Sequence, residues 1–163
     1  DLIYKVIRGN VDTRVKKLNE GLYDAIILSK AGIDSLNLNK LISQEFSVEE
    51  FIPSVGQGVI AIQCRNDDKE MIELLKKINH KETKICATAE REVLKILEGD
   101  CNTAIGAFSF IEEQNLNLVA ELFSIDGKKR YYCSLINKIN FAKQLGEEVG
   151  NILKKKSKGN YKR

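Results

Sequence analysis

Residues 97–101 read Leu97-Glu98-Gly99-Asp100-Cys101, and what surrounds them decides the fold of the second half of the chain. Upstream, apolar side chains recur at Ile85, Ala89, Val93, Ile96 and Leu97, the stripe of an amphipathic helix over 85–98. A glycine just past the last periodic residue can take the left-handed conformation that closes a helix, so Gly99 is expected to end it. Downstream, Ala104-Ile105-Gly106-Ala107-Phe108 opens an apolar run. Cys101 is therefore expected on a tight loop at an exposed element boundary, although free cysteine is more often a small buried hydrophobe.

Beyond that loop the pattern predicts strands near 103–111, 116–124 and 129–136, with Asp126-Gly127 as the hairpin turn between the last two. A final helix carries Phe141, Leu145, Val149, Ile152 and Leu153 at helical spacing. Residues 79–163 thus read as an α+β unit, a three-stranded antiparallel sheet with helices. The lysine-rich end from Lys154 to Arg163 reads as a solvated, frayed tail.

Toward the N-terminus, Ile3-Tyr4-Lys5-Val6-Ile7 is expected as a strand, followed by the loop Arg8-Gly9-Asn10. A helix capped by Asp12, with Val15 and Leu18 inward, then leads to an apolar strand over 24–29. Strand, crossover helix and apolar strand make a βαβ unit of a parallel or mixed sheet, so the fold class is α/β followed by α+β. Ligands of such sheets bind beyond the carboxyl ends of the strands. Arg8 falls there and Arg14 in the first turn of the next helix, where unpaired N–H groups already favour an anion. Leu36, Leu38, Leu41 and Ile42 give a weak helix signal, and Pro53 precedes Ser54-Val55-Gly56-Gln57-Gly58. Two glycines around a glutamine mark backbone that bends or passes close to something. Val59 to Cys64 reads as another apolar strand, and Asp67 or Asp68 starts a helix with Met71, Leu74, Leu75 and Ile78 inward.

Of the 163 residues, 43% are hydrophobic and 30% charged, the balance of a soluble globular protein. The net charge of +3 owes part of itself to the lysine tail, so the body carries no nucleic-acid footprint. No apolar run approaches the ~20 residues that span a bilayer, and no membrane partner is expected. The start at Asp1 does not read as a signal peptide but as an interior cut. Cys64, Cys86, Cys101 and Cys133 lie far apart with no Cys-x-x-Cys pair, as befits free thiols in a reducing cytoplasm. His80 is the only histidine, so neither a metal site nor a local Cys-His pair is expected. Glu90 and Arg91 could be site residues, but charged residues on a helix are usually a solvated face or an ion pair, and that is the default reading.

Five segments, Arg8-Gly9-Asn10-Val11-Asp12-Thr13-Arg14, Tyr23-Asp24-Ala25-Ile26-Ile27-Leu28, Val55-Gly56-Gln57-Gly58, Ala89-Glu90-Arg91 and Leu97-Glu98-Gly99-Asp100-Cys101, together resemble the carboxyl-terminal portion of porphobilinogen deaminase (hydroxymethylbilane synthase). They occur in that family's order and spacing over nearly the whole chain. The resemblance implies a transferase of tetrapyrrole (haem) biosynthesis, which joins four porphobilinogen molecules into linear hydroxymethylbilane with release of ammonia. It implies a dipyrromethane cofactor held by Cys101 through a thioether, with Arg8 and Arg14 binding acetate and propionate carboxylates of cofactor and substrate. Gln57 and Gly58 would border the substrate. Planar guanidinium groups suit carboxylates because two N–H donors meet two oxygens in one plane.

The chain departs from the family at Asp100, where a second glycine is usual, and at Ser35, where a third arginine is often found; Lys30 is a candidate replacement. By the same resemblance, residues 1–52 form part of the central α/β domain. Residues 53–78 are a crossover strand and helix belonging to an absent first domain, and 79–163 form the cofactor-bearing domain. The catalytic aspartate would lie in that absent part, so no catalytic residue is assigned here and the fragment alone is expected to be inactive. Its partners would be porphobilinogen, the linear pyrrole intermediates and the missing amino-terminal portion of a monomeric, cytoplasmic enzyme. The alternative is a non-catalytic anion-binding module of solute-binding-protein type, built on the same Arg8 and Arg14 corner.

Overall fold

The computed structural model describes residues 2–100 and 103–161. The chain divides into two compact units, Asp1–Phe46 and Ser47–Arg163.

The first unit is built on helix α1 (Val11–Asn19) and the short helix α2 (Lys30–Ser35), followed by a 3-10 turn at Asn39–Leu41. Val15 and Ile33 are its buried apolar side chains. Helix α1 starts one residue before the expected cap: Asn10 stands at the N-cap, and Asp12 sits in the first turn, where its Oδ1 accepts from the Thr13 N–H at 2.7 Å.

The second unit opens with helix α3 (Lys69–Ile78), whose start is the expected one. The Asp68 carboxylate accepts from the Met71 N–H at 3.0 Å, satisfying one of the donors that every helix start leaves open. Helix α4 (Lys81–Ile96) follows. After it come β1 (Ile105–Glu112), β2 (Asn115–Phe123) and β3 (Arg130–Lys138), an antiparallel sheet in the order β1-β2-β3. Helix α5 (Ala142–Ser157) closes the unit.

Alternation decides which face of this sheet is covered. The register aligns Ala107 with Ala120 and Cys133, and Ser109 with Leu118 and Leu135. Most of these side chains are buried, together with Leu116 and Leu122, beneath Ala89, Val93 and Leu97 of α4 and Leu145, Val149 and Leu153 of α5. The expected hairpin turn is present: Gly127 has φ 68° and its N–H donates to the Ser124 carbonyl at 2.8 Å. In α5 the buried row is Ala142, Leu145, Gly146, Val149, Gly150, Leu153 and Ser157. Phe141, expected on it, precedes the helix and is exposed.

Two expectations need correction. The segments 3–7, 24–29 and 59–64, read as strands of a parallel or mixed sheet, carry no strand ladder. The first of them is held by a side chain: Tyr23 Oη, one residue before the second segment, donates to the Val6 carbonyl at 3.1 Å. Ile3 is 86% exposed and Ile60 90%. β-Branched composition makes a segment able to be a strand, but only a neighbour that pairs its N–H and C=O groups makes it one. The expected βαβ unit is therefore represented by its helix, while the antiparallel half of the fold class is present.

The second correction concerns the C-terminal tail. It is not frayed up to Tyr161: Lys158 and Gly159 take left-handed φ of 50° and 80°, which turn the chain back so that Tyr161 is 4% exposed.

Candidate functional site

Arg8 and Arg14 share one corner of the first unit. Gly9 between the Arg8 loop and α1 has φ 124°, and a Cβ on it would lie 2.9 Å from Thr13 Cγ2. Only glycine fits that turn. Arg14 projects from the first turn of α1, half-buried, and its Nε donates to the Gly9 carbonyl at 2.7 Å. That bond uses the Nε–H and not the terminal amino groups, which are the fork that grips a carboxylate. Arg8 is exposed, and its carbonyl accepts from Lys17 Nζ at 2.9 Å. Two cationic side chains, Arg14 and Lys17, are thus tied to one glycine loop that also carries Arg8. The donor set fits a ligand with several carboxylates. Ser35 turns its hydroxyl onto the Gly32 carbonyl at 2.9 Å. Lys30, the candidate for the absent arginine, is held by Glu45 at 2.7 Å, which pushes its pKa up.

Gln57 and Gly58 belong to the second unit, on consecutive turns. Gln57 N–H donates to the Ser54 carbonyl at 2.9 Å and Val59 N–H to the Gly56 carbonyl at 3.1 Å. Gly56 and Gly58 have φ 70° and 82° with open space where a Cβ would be, so these glycines serve the bend and not a close approach. The loop is fastened at two points to the sheet and helix beside it. Ala107 N–H donates to the Pro53 carbonyl at 2.9 Å. Gly56 N–H donates to Glu90 Oε2 at 2.9 Å.

Glu90 corrects the reading of a solvated helix face. It is 6% exposed, and its other oxygen accepts from the Ser109 N–H at 2.9 Å and the Ser109 hydroxyl at 2.8 Å. A buried carboxylate is stable only when its lone pairs are met by donors. Here they come from β1 and from the glycine loop, so Glu90 joins helix, sheet and Gln57 loop. The available signal was its place one residue after Ala89 on the apolar stripe; the neighbouring Arg91 is exposed.

Helix α4 ends in an order different from the expected one. Glu98 N–H donates to the Lys95 carbonyl and Gly99 N–H to the Leu94 carbonyl, both at 3.0 Å, the paired bonds of a Schellman closure. The left-handed residue is Glu98, at φ 51°, and Gly99 is not left-handed. Gly99 sits close to two side-chain ends: a Cβ there would lie 2.5 Å from Ile105 Cδ1 and 2.7 Å from Leu94 Cδ1, and those ends would have to move aside. Asp100, where the chain departs from the family's glycine, bonds to Thr103. Its N–H donates to Thr103 Oγ1 at 3.1 Å, and the Thr103 hydroxyl and N–H meet its carboxylate and carbonyl, each at 3.1 Å. Cys101, the residue expected to hold the cofactor, lies outside the described residues.

The thiols of Cys86 and Cys133 have pKa values pushed up, in both by burial first. A raised pKa keeps them protonated at neutral pH, and a thiol is a slow nucleophile. Among the described residues no cluster of His, Cys, Asp and Glu could hold a metal ion. No described helix is long and apolar enough to cross a membrane.

Comparison with known proteins covers both units. Residues 1–73 match the model of the porphobilinogen deaminase dipyromethane cofactor binding domain, and residues 84–155 match the porphobilinogen deaminase C-terminal domain. A porphobilinogen deaminase from Coxiella burnetii (strain CbuG_Q212) is 46% identical over 149 residues, 91% of this chain and 48% of the relative. One from Desulforamulus reducens is 40% identical over 153 residues, 94% of this chain and 50% of the relative. One from Staphylococcus carnosus is 38% identical over 156 residues, with the same coverage. The chain spans about half the length of the curated relatives it matches. A solute-binding-type anion module finds no support in these relationships, and the chain belongs to the porphobilinogen deaminase family.

Proposed function

We propose that the chain supplies the cofactor-carrying part of a hydroxymethylbilane synthase, which condenses four porphobilinogens head to tail and releases an ammonia with each. The observation that carries this reading is the match to two porphobilinogen deaminase domain models in succession, at residues 1–73 and 84–155, together with 38–46% identity to the relatives named above. Cys101 is the point of thioether attachment. A dipyrromethane bound there supplies the free pyrrole carbon from which the product chain grows.

The residues of this chain bind and orient. Arg8 and Arg14 pair with the acetate and propionate groups of cofactor and growing chain, and Gln57 and Gly58 border the substrate on a loop that Glu90 fixes. Residues 1–52 belong to the central α/β domain, 53–78 to a crossover into the first domain, and 79–163 to the cofactor-bearing domain. The remainder of the enzyme provides the catalytic carboxylate and the ladder partners for 3–7, 24–29 and 59–64. This chain alone accordingly makes no hydroxymethylbilane. The intact enzyme is a cytoplasmic monomer without nucleic-acid or membrane partners.

Two measurements on the intact enzyme test this. Loading with porphobilinogen followed by peptide mass mapping is expected to place the mass increment on the Cys101 peptide. An increment on Cys64, Cys86 or Cys133 refutes the assignment. Arg8→Ala and Arg14→Ala are expected to lower cofactor loading at least tenfold, since a desolvated charge-assisted pair contributes roughly 2 kcal/mol or more to binding. Loss of the exposed Arg8 side chain should change stability by under ~0.5 kcal/mol, and Arg14→Ala, which also loses the bond to the Gly9 carbonyl, by about 1 kcal/mol, so melting should fall by no more than a few degrees. A large fall in melting temperature with loading intact shows these arginines to be structural.

A further inference from the structure

Helices α1 and α2 start side by side. A methyl on Gly32, in the first turn of α2, would stand 3.0 Å from Cγ2 of Val11, the residue that opens α1. Arg8 and Arg14 flank the start of α1, and Lys30 is the first residue of α2. Lys30 opens onto a cleft of about 520 Å³ that Asp34, Asn39, Ser43, Gln44 and Glu45 also line. Its ammonium lies between both oxygens of Glu45, at 2.7 and 2.8 Å. That is the contact a ligand carboxylate would make with it. The pair is exposed, 58% for Lys30 and 56% for Glu45, and an exposed ion pair holds its partners together by no more than about fivefold. Glu45 stands in a stretch without helix or strand, whereas Lys30 and Asp34 are fixed on α2.

We infer that Glu45 is an internal stand-in for a ligand carboxylate: it occupies Lys30 until an acetate or propionate group of the pyrrole chain displaces it, and Lys30 then serves as a third cation beside Arg8 and Arg14. The inference rests on the proposed reaction for the identity of that ligand. A chain already gripped by Arg8 and Arg14 presents its next carboxylate at a high effective concentration, against a competitor that is only weakly held. With Asp34, Glu45 and the ligand all crowding one ammonium, like-charge repulsion expels the carboxylate that can move. Asp34 is fixed on its helix, so Glu45 leaves. The exchange favours ligands with several carboxylates, because a single carboxylate has no second grip to offset the lost ion pair.

The test uses the intact enzyme as wild type, Glu45→Gln, Lys30→Gln and the double variant. KM and kcat for porphobilinogen are measured separately at low ionic strength, where exposed charges are least screened. Glu45→Gln frees the ammonium and is expected to lower KM about two- to fivefold. Lys30→Gln removes a charge-assisted contact and is expected to raise KM about tenfold, with a smaller effect on kcat. In the double variant the gain from Glu45→Gln should vanish, because there is no ammonium to free. Melting temperatures should stay within about 2 °C of wild type, as for any exposed pair.

Unchanged KM in both single variants overturns the inference, since the pair is then a surface contact only. A gain from Glu45→Gln that persists without Lys30 also overturns it, because Glu45 then acts by general repulsion and not by occupying the lysine. Melting lowered by more than about 5 °C in either single variant assigns the pair to the fold and overturns it as well. If the wild type makes no hydroxymethylbilane, the proposed reaction falls and direct binding decides. Propane-1,2,3-tricarboxylate is then titrated and followed by the NMR shift of Lys30 Cε. A saturating shift that tightens in Glu45→Gln upholds the exchange at Lys30, and the absence of a shift overturns it.

Discussion

Glu90→Ala is expected to lower the stability of the second unit by about 3 kcal/mol and to release the Gln57 loop. The deletion strands the Gly56 N–H, the Ser109 N–H and the Ser109 hydroxyl at once, in a place where Glu90 is 6% exposed. Each buried donor left without a partner costs about 1–3 kcal/mol, and this desolvation penalty outweighs whatever the apolar alanine gains. For a unit of this size the melting temperature should drop by about 10 °C or more. Glu90→Gln separates the two halves of the clamp. An amide keeps an oxygen for Ser109 but turns an N–H toward the Gly56 N–H, so a smaller fall of about 1–2 kcal/mol is expected, with the loop still loosened. Exchange at 56–59 measures that loosening. Arg91→Ala, on the exposed neighbour, serves as control and should stay within ~0.5 kcal/mol. Melting of Glu90→Ala within 2 °C or so of wild type would mean that the clamp is not made in solution.

Gly146→Ala should destabilise the protein where helix propensity alone expects the opposite. An exposed glycine in a helix interior gains about 1 kcal/mol on becoming alanine. At position 146 the new methyl would meet the Ala89 carbonyl oxygen and stand 2.8 Å from Glu92 Cβ. One turn on, a Cβ at Gly150 would stand 2.7 Å from Ile96 Cβ. The obstacle is backbone and the root of a side chain, so no rotamer change relieves it and the two helices must separate. Overpacking of this kind costs about 1–3 kcal/mol, enough to reverse the propensity gain. Denaturant unfolding of Gly146→Ala beside wild type reads the sign directly. A net gain in stability would show that α4 and α5 have room between them.

Much of this protein was legible as pattern. The apolar stripe of α4, the three alternating strands and the Asp126-Gly127 turn each follow from a local period or a turn residue, and each stands where expected. The Asp68 cap was legible for the same reason, because a cap bonds within its own first turn. Local pattern also marked Gly99 as the end of α4, yet for a reason that the fold replaces. Glu98 takes the left-handed place, and Gly99 lies beside the side-chain ends of Leu94 and Ile105 without a left-handed φ.

Local pattern settles which segments can bury an apolar face and, through five short strings in register, the family. Which of those segments find partners is settled by the fold. Segments 3–7, 24–29 and 59–64 have the composition of strands, but strand formation is a pairing between distant stretches that composition cannot count. The same holds for Glu90, Lys154 and Tyr161, charged or polar residues in helix and tail that resemble any solvated surface along the chain. Their partners, Gly56 and Ser109, Ile96 and Leu97, lie many residues away. A periodic pattern records which side a residue faces within its own element. Whether a polar side chain there meets water or a buried donor depends on what the rest of the chain places opposite it.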